Sequence, residues 1–224
     1  MSVARGSSSL AGAWLLLPFL LFESQTPCRA SPPPCAEKVK AIAQLGAERR
    51  YPEAVELAER TVREYADDAT AWIALARVHL DPEYLYRRPA RAESAARRAL
   101  KLVGRRPDVL GLLAQALFDQ SEHEEALRLI AEVVDAPAAA GSDVTLLSDL
   151  LVLRAEIRLR QSPQEPALRT AALADLGRAV ELLPRGGRAR LARGEALLAE
   201  GRTEEALADF EVAVSTRPGS RQAH

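Results

Sequence analysis

Five times along the chain, a helix-length run repeats one arrangement of apolar and polar positions. The runs are YPEAVELAERTV (51–62), PARAESAARRAL (89–100), HEEALRLIAEVV (123–134), RTAALADLGRAV (169–180) and TEEALADFEVAV (203–214). Each carries an alanine near its start and a small or β-branched residue seven positions on: Ala54/Thr61, Ala92/Ala99, Ala126/Val133, Ala172/Ala179 and Ala206/Ala213. Apolar side chains such as Leu57, Ile130, Leu176 and Phe210 fill the intervening positions. Spacings of three, four and seven place all of these on one stripe of an α-helix. A second helical run precedes each: AEKVKAIAQLGAER, ATAWIALARVHL, DVLGLLAQALFDQ, LLSDLLVLRAEIRLR and RARLARGEALLAEG. Pro and Gly interrupt the pattern too often for the sustained heptads of a coiled coil.

The five leading alanines are 38, 34, 46 and 34 residues apart. A helical hairpin that recurs every 34 residues cannot bury its apolar face alone, so neighbours stack and share one continuous core. The two longer intervals coincide with insertions. One is the tyrosine-rich DPEYLYRRP (81–89); the other divides between DAPAAAGSD (135–143) and a longer turn, QSPQEPALR (161–169).

With these residues in place, the chain resembles the tetratricopeptide repeat family over residues 35–218. Trp72, Leu75 and Ala76 match that family's Trp-x-x-Leu-Gly opening, with alanine for the glycine. Gly194 stands where the small residue of the last unit belongs. Pro184 and Pro218 stand at the helix-ending proline, with Pro107 and Pro137 near it. The first unit lacks the tryptophan and has Ala66 for the proline, and the fourth unit is degenerate. The resemblance implies an all-α fold, a right-handed superhelical solenoid of about five helix-turn-helix hairpins, over residues 31–218, with 219–224 as a short tail. It also implies a concave wall lined by the first helix of each unit. Carried over, the register puts Thr70, Ile73, Arg77 and Leu80 on that wall, then Gln115, Phe118 and Asp119, then Val152 and Glu156, then Leu191, Glu195 and Leu198. Phe118 is expected to be its largest apolar contact for a protein or peptide partner. Some family members clamp a terminal carboxylate with Lys, Asn and Arg; Val39, Ala43, Ala74 and Asp108 stand at the corresponding positions, so that clamp is absent.

The first thirty residues read differently. Arg5 gives a basic start, Leu10 to Phe22 is a nearly pure apolar run, and Cys28-Arg29-Ala30 puts small residues where a signal peptidase reads. The run is shorter than the roughly 20 residues a membrane-spanning helix needs. This is the layout of a secretory signal peptide covering residues 1–30, with the mature chain starting near Ser31 in the periplasm or secreted. Two alternatives stay open: an uncleaved anchor, or a lipid on Cys28, although Pro27 fits a lipidation signal poorly. Cleavage would leave Cys35 as the only cysteine, too few for an internal disulfide.

Composition narrows the function. Formal net charge is −1 with a pI near 6.4, which lacks the basic footprint of a nucleic-acid binder. Aromatic residues are 4% of the chain, too few for a stacking platform. His79, His123 and His224 are scattered, with no cysteine or carboxylate at metal-ligand spacing. Gly186-Gly187 lacks the strand and the Lys-Ser/Thr of a phosphate loop. No catalytic, cofactor or metal constellation emerges. A basic cluster does: Arg87, Arg88, Arg91, Arg97, Arg98, Lys101, Arg105 and Arg106 against Glu93 alone. It is either a surface for an anionic partner or a solvated outer face beside the acidic stretch 119–125.

The sequence therefore points to an exported scaffold or adaptor that recruits protein partners, not to an enzyme. The alternatives are a permanent subunit of an envelope or secretion assembly, and a membrane-anchored lipoprotein. A final helix expected from about Glu204 to Ser215 leaves too short a tail for a capping helix, so the C-terminal edge is expected to dock a partner or a second copy. There Ala206, Leu207, Phe210, Ala213 and Val214 form the packing stripe, with Val212 off it and Leu207 at its margin, near water.

Overall fold

The computed structural model describes residues 33–136, 143–161 and 165–216. Backbone contacts divide the chain into Met1–Ala30 and Ser31–His224, and every described residue lies in the second unit. The expectations for the leader, for Pro137 and Pro218, and for the tail fall outside the described residues.

Ten α-helices, and no strand, make up the described residues: α1 (Pro33–Ala47), α2 (Tyr51–Glu64), α3 (Ala69–Leu80), α4 (Pro89–Val103), α5 (Pro107–Asp119), α6 (His123–Val134), α7 (Val144–Gln161), α8 (Pro166–Leu182), α9 (Gly187–Ala199) and α10 (Thr203–Ser215). They pair in sequence as five antiparallel hairpins. Proline opens α2, α4, α5 and α8 within the first two positions, where its missing N–H would have no helical partner anyway. Asp68 caps α3 by accepting a hydrogen bond from the Thr70 amide at 2.9 Å.

Three of the hairpin turns are one structure written in different residues. Arg49, Ser121 and Gly201 occupy the same place and all have positive φ, at 61°, 66° and 77°. In each, the next amide reaches back to a helix carbonyl: Arg50 to Leu45, Glu122 to Leu117 and Arg202 to Leu197, at 2.9, 2.9 and 3.0 Å. Only the glycine adopts this conformation without steric cost.

The two insertions differ in form. Residues 81–88 make an ordered loop in which Tyr84 stacks on Tyr51, ring centroids 5.1 Å apart, while the Tyr51 hydroxyl donates to Asp81 at 3.0 Å. The expected long turn at 161–169 is shorter than that: α7 runs to Gln161 and α8 starts at Pro166, so residues 166–169 are helix. The extra residues lengthen the hairpin arms because Ala167, Leu168 and Arg169 are good helix formers behind an initiating proline.

The repeat pattern marks the core. All ten paired residues, from Ala54/Thr61 to Ala206/Ala213, are buried. First helices pack on one another in order (α1–α3–α5–α7–α9), whereas no comparable packing joins the second helices. First helices thus form the inner layer and second helices the outer one. In units two to five the small position of the first helix and the position four after the leading alanine of the second are held by Ala76/Ala96, Ala114/Ile130, Ala155/Leu176 and Gly194/Phe210. A methyl group on Gly194 would sit 2.5 Å from the Phe210 ring, so the largest member of this series requires the smallest partner.

Candidate partner-binding groove

Ten of the twelve expected wall residues fall into three register positions counted from the small residue of each first helix (Ala76, Ala114, Ala155, Gly194); Thr70 and Asp119, both half-buried, lie outside them. One residue after it stand Arg77, Gln115, Glu156 and Glu195. Arg77 and Glu195 are exposed, and Gln115 and Glu156 are half-buried. Gln115 donates to Asp119 at 3.1 Å, and Glu156 lies 3.7 Å from Arg188 of the next unit. This position does face the inner surface.

The other two positions do not behave as the sequence suggests. Three residues before the small residue stand Ile73, Gly111, Val152 and Leu191; four residues after it stand Leu80, Phe118, Leu159 and Leu198. Ile73, Leu80, Phe118 and Val152 are buried. Phe118 is 6% exposed and lies under the Arg160 guanidinium of the next unit, 4.5 Å from the ring centroid. It is therefore core rather than a contact offered to a partner. Ile73 shares a small cluster with Val109 of the next unit, and a side chain at Gly111 would meet Leu146 and Leu150. These positions cement each unit to its successor, and only Leu191 and Leu198 of the last unit are exposed. A large apolar residue on a helix looks the same in sequence whether a neighbour or a ligand covers it.

What the inner layer does offer is a trough of about 400 Å³ between α1, α3 and the start of α5. Its α1 side is Val39, Ile42, Ala43, Gly46 and Ala47; its α3 side includes Thr70, Ile73, Ala74 and Arg77. Asp81, Arg106 and Asp108 close its rim. The small side chains create the space: alanine and glycine stand where longer residues would fill it. Arg106 forms a two-point ion pair with Asp108 at 2.7 and 3.0 Å, which neutralises that end. Asp81 is engaged by Tyr51 and by the Glu83 amide. Arg77 forms no ion pair among the described residues and leaves one cationic group at an apolar trough. Val39, Ala43, Ala74 and Asp108, which replace the family's carboxylate clamp, all line this trough.

Other charged features are committed internally. A second cavity of about 390 Å³ near α8, α9 and α10 contains Arg190, Arg193 and Arg202, but the first two grip Asp209 and the third Glu205. The basic cluster is likewise an ion-paired seam on the outer layer. Arg91 pairs with Glu59, Arg97 with Glu93 and Glu125, Arg98 with Asp67, Arg105 with Glu132 and Arg87 with Asp119. Only Arg88 and Lys101 of the eight have no ion-pair partner among the described residues. The solvated-face alternative accounts for this cluster, because five of these arginines reach an acid on the adjacent unit or the turn beside it. No group of acidic, histidine and cysteine side chains suited to a metal occurs among the described residues. Cys35 is buried against Thr70 at 3.7 Å, and burial pushes its thiol pKa up, away from the reactive thiolate.

Relatives share this architecture. A thermophilic TPR protein from Thermus thermophilus superposes with a TM-score of 0.65 at 24% identity, over 84% of this chain and 93% of that one. PilF of Pseudomonas aeruginosa gives 0.62 at 17% identity, over 81% of this chain and 76% of the other. A MamA protein gives 0.55 at 14% identity, over 85% and 95%. Among curated proteins, none matches the chain in sequence. The tetratricopeptide repeat family matches residues 40–81, 87–143 and 169–221, leaving out all of α7 and the start of α8, where the repeat is degenerate. The chain belongs to the tetratricopeptide repeat family, whose helical solenoids serve as scaffolds for protein partners.

Proposed function

We propose that this protein is an exported scaffold that holds a peptide segment of a protein partner in the trough between α1, α3 and α5. The observation that carries the reading is the pairing of an apolar floor, built from Ile42, Ala43 and Ala74, with the uncompensated Arg77 beside it. An apolar side chain of the segment would cover the floor, and an acidic or carbonyl group would meet the guanidinium. With the clamp positions occupied by Val39, Ala43, Ala74 and Asp108, recognition rests on an internal segment more than on a chain end. Export is supported by the Leu10–Phe22 run followed by Cys28-Arg29-Ala30. No described helix is long and apolar enough to cross a membrane.

Cross-linking capture from the native host tests the groove. Ala43→Trp, which fills the trough, and Arg77→Glu, which reverses its charge, should each lower capture about tenfold with unchanged thermal melting. Capture that persists in both variants overturns the groove reading. The mass of the secreted protein tests the leader: a chain beginning near Ser31 supports export, whereas an intact Met1 or a lipid on Cys28 favours the anchored forms.

A further inference from the structure

The last unit differs from the others in one respect. Val62, Val134 and Val180 are buried, yet their register counterpart Val214 is 59% exposed. Val55, Leu127 and Leu173 are packed against the core, yet their counterpart Leu207 is 57% exposed. On α9, Leu191 and Leu198 are 38% and 51% exposed, while their counterpart Val152 is buried and Leu159 packs against the core. The first helix of the following unit accounts for this elsewhere, and α9 and α10 have no following unit among the described residues. Against the expectation that Val214 would pack on the preceding helix, it faces away, and the off-stripe Val212 is half-buried.

The step from α7 to α9 shows what kind of helix fits such an edge. There Arg188 of the incoming helix meets Glu156 at 3.7 Å, and one step earlier Arg160 of the incoming α7 covers Phe118. Glu195 is the register counterpart of Glu156, and it forms no ion pair among the described residues. Glu204 and Glu211 are also exposed and also without an ion pair there; they flank Leu207 and Val214 on the same helix face. The edge is thus two apolar stripes set among three uncompensated carboxylates.

We propose that the C-terminal edge of the solenoid, a surface distinct from the groove, docks a basic amphipathic helix supplied by a different protein, with a Lys or Arg meeting Glu195. A second copy of this chain is a poor occupant. Stacked head to tail, it would present α1, where Glu37 takes the register place that Val109 and Leu150 hold in their units. Paired edge to edge, it would set the carboxylates against one another.

The probe is a fluorescent peptide of residues 185–200, the α9 sequence, stapled across positions 191 and 198 and titrated into the full chain. Leu198→Glu with Leu207→Glu should weaken binding at least tenfold. Glu195→Lys should weaken it at least fivefold, and the same peptide carrying Arg188→Glu should restore binding to that variant. Arg77→Glu should leave binding unchanged, which separates this edge from the groove. The proposal is overturned by a peptide that fails to bind, or by binding that ignores the edge substitutions. It is overturned equally by a dimer that Leu207→Glu dissolves, which would make the occupant a second copy. Tighter peptide binding after truncation at Thr216 would show instead that residues 217–224 cover the edge, and would also overturn it.

Discussion

Units two and three differ from units four and five in how they fill one geometric slot. Just before the small residue of the first helix stand Leu75 and Leu113, but Arg154 and Arg193 in the later units. Three residues after the leading alanine of the second helix stand Ala95 and Leu129, but Asp175 and Asp209 later on. The early slots hold apolar side chains, while the later ones hold a buried carboxylate gripped by arginines. Arg154 meets Asp175 through two hydrogen bonds of 2.8 and 2.7 Å, with Asp135 at 2.8 Å from its remaining nitrogen and Arg158 on the same Asp175. Burial is the largest single influence and opposes the charged guanidinium, yet the hydrogen bonds and charges of Asp175 and Asp135 together outweigh it and hold the Arg154 pKa above its usual value. One backbone design therefore accepts two chemistries with different tolerances. An apolar slot survives any side chain of fitting volume, whereas an ionic one depends on every member being present.

The largest test breaks the ionic slot. Asp175→Ala removes the acid from Arg158 and leaves the deeply buried Arg154 with Asp135 alone, and should cost about 3–5 kcal/mol in chemical denaturation. Converting the pair to the early-unit chemistry, Arg154→Leu with Asp175→Leu, should recover most of that loss. Asp209→Ala should cost less, because Arg190 and Arg193 keep more contact with water. If the apolar double variant is no more stable than the single one, the two slots are not interchangeable.

The second test concerns size rather than charge. Gly194→Ala forces the Phe210 ring aside; overpacking of about 1–3 kcal/mol is offset by roughly 1 kcal/mol of helix propensity. Adding Phe210→Leu recreates the Ala155/Leu176 crossing of unit four and should restore the melting temperature. Persistent destabilisation in the double variant would show that the size series is not the cause.

The third sharpens the contrast from the apolar side. His79 is buried in unit two with neither ring nitrogen hydrogen-bonded among the described residues. Burial first, then the Arg91 charge, lowers its pKa below the ordinary 6.5. Because the folded pKa is the lower one, the unfolded chain takes up a proton that the folded chain refuses. Stability is therefore full above about pH 6.5 and falls as pH drops below it, by up to about 1.4 kcal/mol per pH unit. His79→Leu should flatten the melting profile between pH 7.5 and 5.5; an unchanged slope would place the titrating group elsewhere.

The smallest effect lies in the turns. Ser121→Gly supplies the residue that Gly201 already provides at the same positive φ, and should stabilise by about 0.5–1 kcal/mol in thermal melts. A loss of stability instead would mean that backbone entropy outweighs the relieved strain.

Much of this organisation was legible from the chain alone. The spacing of Ala54, Ala92, Ala126, Ala172 and Ala206 reports helix–helix crossings, which demand small residues wherever they occur, and the five hairpins follow. The groove was not legible, because it consists of what is missing: Ala43, Gly46 and Ala74 read as helix filler until neighbouring helices show the space they leave. Phe118 misled for the opposite reason, since its cover, Arg160, comes from the degenerate unit. The Arg–Asp slots were hidden too, because Arg154 and Asp175 lie 21 residues apart and each reads as an ordinary surface charge.

The seam on the outer layer has a mechanical consequence. Arg91 and Arg98 reach back from α4 toward the first unit while Arg97 and Arg105 reach forward to α6, all on the side where the second helices stand apart. Any bend that opens this side stretches these pairs together, and any bend that closes it relaxes them. The seam is a row of tension ties whose stiffness the surrounding electrolyte sets, as the Debye length shrinks from about 10 Å at 0.1 M to about 3 Å at 1 M. Raising the ionic strength should therefore loosen these exposed ties on the outer side of the array.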